Sequence, residues 1–311
     1  MSEQHPGTRK RPVEELLGLR GKNDVLAFLR LSGFDIAGAA RLAFAGDEPV
    51  GTLLVGSVAE GYQTASSDVD ILFVSYASRQ DLQSSAQLII SSGQSSETLS
   101  YASGVEINTE VVCWEDYSSL ADQLDQVSGA TALGGGLKKL PMLDKYALRF
   151  LHRLRTGVVL DGADVVDEFR ADFHVGSLPL YLSVKNLVLA REALEDARSA
   201  SIETVGLVEF SCRNVLEYCL LGYAAALGFT SQSRRFVMNW IDGLSHDDPH
   251  LAALVGLRTQ FLESRVLKPE EKPQLVGDVT ASFERVRAVL RKDPVRRQVV
   301  DRIFRSIPYA F

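Results

Sequence analysis

The sequence predicts an α+β protein, a mixed sheet with flanking helices followed by an all-α domain. Three observations carry that expectation. Strand-like runs cluster in the first 115 or so positions. Helical periodicity dominates beyond Pro141. Between the two lies Gly134-Gly135-Gly136, the most flexible stretch of the sequence. The expected division is a polar leader over 1–12, an α/β domain over 13–136 and a helical domain over 137–311.

In chain order, apolar residues recur at helical spacing over 13–44, with breaks near Gly21 and Gly33, and predict two helices. Val50-Gly51-Thr52-Leu53-Leu54-Val55 is short, apolar and β-branched, a buried strand closed by Gly56-Ser57. A polar connection over 57–67 leads to a second strand over 69–76. The stretch 97–114 predicts a hairpin turning near Ser103-Gly104. On its second arm Val105, Ile107, Thr109 and Val111 share one face, and Glu106, Asn108 and Glu110 share the other. Helices are expected near 142–155, 178–198, 205–228, 248–264 and 276–291.

At 311 residues the chain fits two domains, with 46% hydrophobic and 23% charged residues as in ordinary globular proteins. It has no apolar run long enough for a membrane span, and its polar start lacks a secretory h-region. Cys113, Cys212 and Cys219 match no zinc spacing; Cys212 and Cys219 are expected on one buried helix face. The expected setting is cytoplasmic and reducing. A net charge of −7 argues against a nonspecific grip on long nucleic acid.

The segment from Gly56 to Val74 concentrates the chemistry. A Gly-Ser bend leaves one strand, and Ser67-Asp68-Val69-Asp70 enters the next. Asp68 and Asp70, two positions apart on a strand, project to one face roughly 6–7 Å apart at their bases. Side by side they repel unless a cation sits between them. Divalent cations held by carboxylates neutralise a triphosphate for in-line attack at its α-phosphorus, typically as a pair about 3.5–4 Å apart. Glu106 or Glu110 on the hairpin arm offers a third carboxylate and a general base. Gly56 permits close backbone approach, and the Ser57 and Ser67 hydroxyls offer hydrogen bonds to phosphate. Taken singly, an Asp-x-Asp more often caps a turn and a Gly-Ser is more often a plain bend; the joint pattern is the specific one.

Gly56-Ser57 followed by Asp68-Val69-Asp70 resembles the signature of the polymerase-β-like nucleotidyltransferase superfamily. The 57–68 interval and the arm Val105-Glu106-Ile107-Asn108 are similar to the aminoglycoside adenylyltransferases that act on streptomycin and spectinomycin. The resemblance covers roughly 51–114. It implies a catalytic domain that binds two magnesium ions through Asp68 and Asp70, with Glu106 favoured over Glu110 as the third acid. It implies ATP as donor, a small hydroxylated acceptor, and a helical domain that closes on the nucleotide. A protein acceptor and a non-catalytic scaffold are the alternatives. Glu60 departs from the pattern, standing where many relatives carry a basic residue.

Other residues are weaker candidates. Lys185, among Leu182, Val184, Leu187 and Val188, is the first choice for reaching the outer phosphates, although a lysine there ordinarily snorkels to solvent. Lys138 and Lys139 follow the glycines and read first as a solvated pair. Arg153 and Arg155 end a helix, where cations suit the dipole without any ligand. His152 reads as an ordinary boundary histidine, Glu209 and Glu217 as solvated-face carboxylates, and Trp240 as core.

Overall fold

Apolar runs become strands only where neighbours complete their hydrogen bonds, and the two runs read from sequence do so with each other. The computed structural model describes residues 22–31, 33–44, 49–63, 67–77, 88–91, 96–102, 105–132, 140–200, 205–231, 233–244, 247–263 and 268–306. β1 (Val50–Val55) and β2 (Val69–Ser75) pair antiparallel, with Val55 opposite Asp70. β4 (Ser96–Ala102) and β5 (Val105–Cys113) are the antiparallel arms of the expected hairpin. Its turn at Ser103-Gly104 lies outside the described residues. β5 runs parallel to β2, which sets Asn108 beside Asp70 and Glu110 beside Leu72. β3 (Leu88–Ser91) and β6 (Val158–Asp161) complete a mixed sheet, ordered β3-β4-β5-β2-β1-β6 among the described residues. β6 corrects the expectation that strands end before Pro141. Four residues are too few to announce a strand locally, and this one is specified by its partner β1.

The two sheet faces divide the labour. On one, Val25, Phe28 and Leu29 of α1 (Lys22–Leu31) join Leu54, Val69, Ile71, Phe73, Ile107 and Val111 in a buried apolar cluster, with α2 (Ile36–Ala43) packed at its margin. The other face carries α4 (Trp114–Ala132), α5 (Lys145–Thr156) and α6 (Ala163–Asp172). There Tyr117 stacks on Phe150 with ring centroids 4.4 Å apart, and Phe150 meets Phe173 edge-on at 5.2 Å. A short α3 (Gly56–Glu60) follows β1 directly, so the expected bend is the first turn of a helix.

By contacts the chain forms two compact units, Met1–Asp122 with Leu143–Gly176, and Gln123–Met142 with Ser177–Phe311. The glycine run 134–136, expected to mark the domain boundary, lies outside the described residues, as do Lys138 and Lys139. Residues 143–176 belong with the sheet, because β6 hydrogen-bonds to β1 and α5 and α6 cover the same face.

The second unit's helices are α7 (Leu178–Ser199), α8 (Val205–Ala226), α9 (Arg234–Leu244), α10 (Pro249–Glu263), α11 (Lys272–Leu290) and α12 (Pro294–Ser306). Gly222 of α8 lies close enough to α7 that an added Cβ would stand 3.4 Å from the Asn186 Cβ. Cys212 and Cys219 are both buried in α8. Burial pushes the Cys212 thiol up to about 12, which keeps it protonated and unreactive. Among the described residues no helix is long and apolar enough to cross a membrane.

Candidate active site

Pairing register, and not proximity in sequence, assembles the polar cluster. Asp70 enters β2 with its side chain on the face covered by α5, and Asn108 and Glu110 of β5 share that face. α5 begins cleanly because the Asp144 carboxylate accepts from the backbone N–H groups of Tyr146 and Ala147 at 2.9 and 2.8 Å. Its apolar stripe, Ala147, Leu148, Leu151 and Leu154, is buried. Arg149 and Arg153, one turn apart, consequently share a side of the helix.

Both arginines converge on Glu110. Arg149 Nη2 donates to Glu110 Oε1 at 3.1 Å, and Arg153 Nη1 donates to Glu110 Oε2. Arg153 also reaches Asp70 Oδ1 with Nη2 at 3.5 Å. The three side chains differ in access: Glu110 is 6% exposed, Arg153 16% and Arg149 37%. Arg153 therefore has an electrostatic partner on each of two strands, not a free role at a helix end as the sequence suggested.

Burial pushes the Asp70 carboxyl up to about 6; Arg153 pulls it down, while Asp68 and Glu110 push it further up. Asp68 is thus an electrostatic neighbour of Asp70, and its Oδ2 accepts a hydrogen bond from Asn108 Nδ2. Gly56 has φ +72°, the left-handed region, and a Cβ there would collide with Asp70 Oδ2. The glycine is required twice over, by backbone conformation and by the carboxylate against it. Ser57 is buried in the first turn of α3. At the other end of that helix Glu60 Oε1 meets His152 Nε2 at 3.0 Å, both side chains less than a tenth exposed. Glu60, out of place as a phosphate contact, is the anchor that ties α3 to α5, and His152 is its buried partner.

Among the described residues no three His, Cys, Asp or Glu side chains gather closely enough to hold a metal ion. Asn108 of β5 donates to Asp68, and Glu106, two residues earlier on the same face of β5, is half-buried. Glu110 is committed to two guanidinium groups. The donor set that remains is two carboxylates beside a backbone stripped of its side chain. Magnesium commonly takes one or two carboxylates and completes its shell with water and phosphate oxygens, so this set suits an ion shared with a phosphate ligand.

Ser67 is half-buried just ahead of Asp68. Lys185 sits on α7 in the second unit, half-buried, with burial lowering its pKa. Trp240 stacks on Phe229 at 4.8 Å. Sequence reasoning passed over Arg149 and the pairing of Glu60 with His152. The available signal was Arg149-x-x-x-Arg153 on an amphipathic helix, a spacing that aims two cations one way.

No protein-family model and no curated protein matches the chain. Among solved structures, the chain is similar to a nucleotidyltransferase-like protein from Exiguobacterium sibiricum, at 10% identity and a TM-score of 0.46. The similarity covers 90% of this chain and 89% of that one. A likeness this loose carries no conclusion about activity.

Proposed function

We propose that the chain is a magnesium-dependent nucleotidyltransferase of the polymerase-β-like type, moving AMP from ATP onto a hydroxyl of a small molecule and releasing pyrophosphate. The observation that supports this most is the apposition of Gly56 and Asp70, with Asp68 beside them. A buried acid whose pKa is raised, facing a glycine that admits no side chain, is an arrangement that stability alone disfavours and cation-assisted phosphate binding uses.

Asp68 and Asp70 would hold magnesium, and the bound metal would supply the positive charge that offsets the triphosphate. The backbone at Gly56 and the Ser57 and Ser67 hydroxyls would position phosphate oxygens. An acceptor oxygen forms a bond to the α-phosphorus, and the bond from that phosphorus to the pyrophosphate oxygen breaks. The acceptor proton goes to Glu106, since Glu110 is engaged by Arg149 and Arg153. The aminoglycoside-like or natural-product acceptor stays a proposal drawn from motif resemblance.

The test is pyrophosphate release from magnesium-ATP across a panel of hydroxylated small molecules. Asp68→Asn and Asp70→Asn should each lower release on the order of a thousandfold, given what metal-held charge contributes to such transfers. Their melting temperatures should stay near wild type, because an amide at either place removes repulsion. Turnover by both variants at the wild-type rate would refute the assignment.

A further inference from the structure

We propose that Arg153 binds the outer phosphates of the donor nucleotide and that Glu110 is its anchor, a positioning residue and not a metal ligand or base. This deepens the nucleotide-transfer reading and rests on it.

The guanidinium has one firm contact and one loose one. Nη1 is hydrogen-bonded to Glu110, which is almost fully buried and cannot follow a ligand outward. Nη2 stands 3.5 Å from Asp70 Oδ1, well beyond the roughly 2.7–2.9 Å of a charge-assisted hydrogen bond. An arriving anion can therefore take Nη2 from Asp70 while the bond to Glu110 persists, and the side chain is already ordered when it does so.

The position is right for that exchange. Asp70 lies between Arg153 and the glycine, with Oδ1 toward the guanidinium and Oδ2 toward Gly56. A phosphate chain seated at the Gly56 backbone thus ends within the width of one carboxylate of Arg153. The neighbouring His152 is tied to Glu60, so the helix that carries Arg153 and the helix that begins at Gly56 are fixed to one another.

Glu110 cannot take the alternative roles at small cost. It accepts from two arginines, one 16% exposed, and withdrawing it to a metal or a proton would strand both. The outer-phosphate cation accordingly comes from the sheet-bearing unit, where sequence reasoning pointed to Lys185 of the helical one.

Calorimetric titration of the full-length protein with magnesium-ATP and with magnesium-AMP tests this. Arg153→Met should weaken ATP roughly ten- to hundredfold, the scale of one charge-assisted hydrogen-bonded contact, and AMP by less than about threefold. Glu110→Gln should fall between wild type and Arg153→Met, with the same preference for harming ATP over AMP. Mn²⁺ titrated alone should bind Arg153→Met at least as tightly as wild type, because Asp70 has lost a competing cation. Should Arg153→Met fail to fold, Arg153→Lys, which keeps the charge and loses the fork, should still show a selective loss for ATP. Wild-type ATP affinity in either folded Arg153 variant, or equal losses of ATP and AMP, would overturn the proposal while leaving the nucleotide-transfer reading standing. Wild-type protein that binds no magnesium-ATP at all would bring down that reading and this inference together.

Discussion

Two sets of polar side chains, one in each unit, are satisfied in opposite ways. In the helical unit three of them bond to their own helix: Ser183 donates to the Pro179 carbonyl at 2.6 Å, Asn186 to Leu182 at 2.9 Å and Ser282 to Asp278 at 3.1 Å. Each partner is four residues back, and each bond would form in that helix whatever surrounded it. In the sheet-bearing unit the polar cluster on α5 finds partners 39 to 92 residues away: Arg149 and Arg153 on Glu110, and His152 on Glu60. Local satisfaction holds an element together, whereas charge drawn from distant elements needs the whole unit to be folded and serves no element in particular. That contrast is the physical reason to place chemistry at the second kind of site.

The contrast breaks most easily at Glu110. Replacing it with alanine leaves two guanidinium groups without their shared acceptor in a largely desolvated place. Losing one partner of a buried ion pair typically costs 3–5 kcal/mol, and the partial exposure of Arg149 allows some rehydration, so about 2–3 kcal/mol is expected from urea denaturation. A cost below about 1 kcal/mol would show the cluster to be a surface arrangement of little consequence.

Legibility in sequence followed the same divide. β1, β2 and the β4–β5 arms announce themselves through alternation and β-branched content, and alternation grouped Glu106, Asn108 and Glu110 on one face, which the β2–β5 pairing then makes the face of Asp70. β6 was not legible, because Val158–Asp161 becomes a strand only by pairing with β1. Asp68, Asp70 and the glycine at 56 were readable from spacing. The partners of Glu110 were not, since they depend on how α5 lies across the sheet, which no local pattern encodes. For the same reason alternation could not tell Glu106 from Glu110, since both occupy the polar face of one strand; the resemblance favoured Glu106, and the arginines of α5 set Glu110 apart.

Ser183 sharpens the comparison from the other side. It is fully buried in α7, yet its hydroxyl serves a carbonyl of the same helix. Ser183→Ala removes the donor and most of the need for it, and alanine has the higher helix propensity. The expected loss is within about 1 kcal/mol by urea denaturation. A loss as large as that of Glu110→Ala would mean that burial, not the distance of the partner, governs the cost.

Asp248 supplies an intermediate case, a local cap strengthened by one distant group. Its carboxylate accepts from the backbone N–H groups of His250 and Leu251 at 2.9 and 3.1 Å, capping α10, and from the Tyr223 hydroxyl of α8 at 2.6 Å. Burial alone would raise its pKa, but the Tyr223 hydroxyl and the two backbone donors hold it below the ordinary 3.8. A depressed acid stabilises the fold above its unfolded pKa and loses that contribution as pH falls through the folded value. Tyr223→Phe should therefore lower stability by about 1 kcal/mol near pH 7, the scale of one hydrogen bond to a partly exposed charge. The gap to wild type should narrow below about pH 4 as Asp248 takes up its proton in both proteins. Equal gaps at pH 7 and pH 3 would mean that the hydroxyl acts through packing and not through the carboxylate.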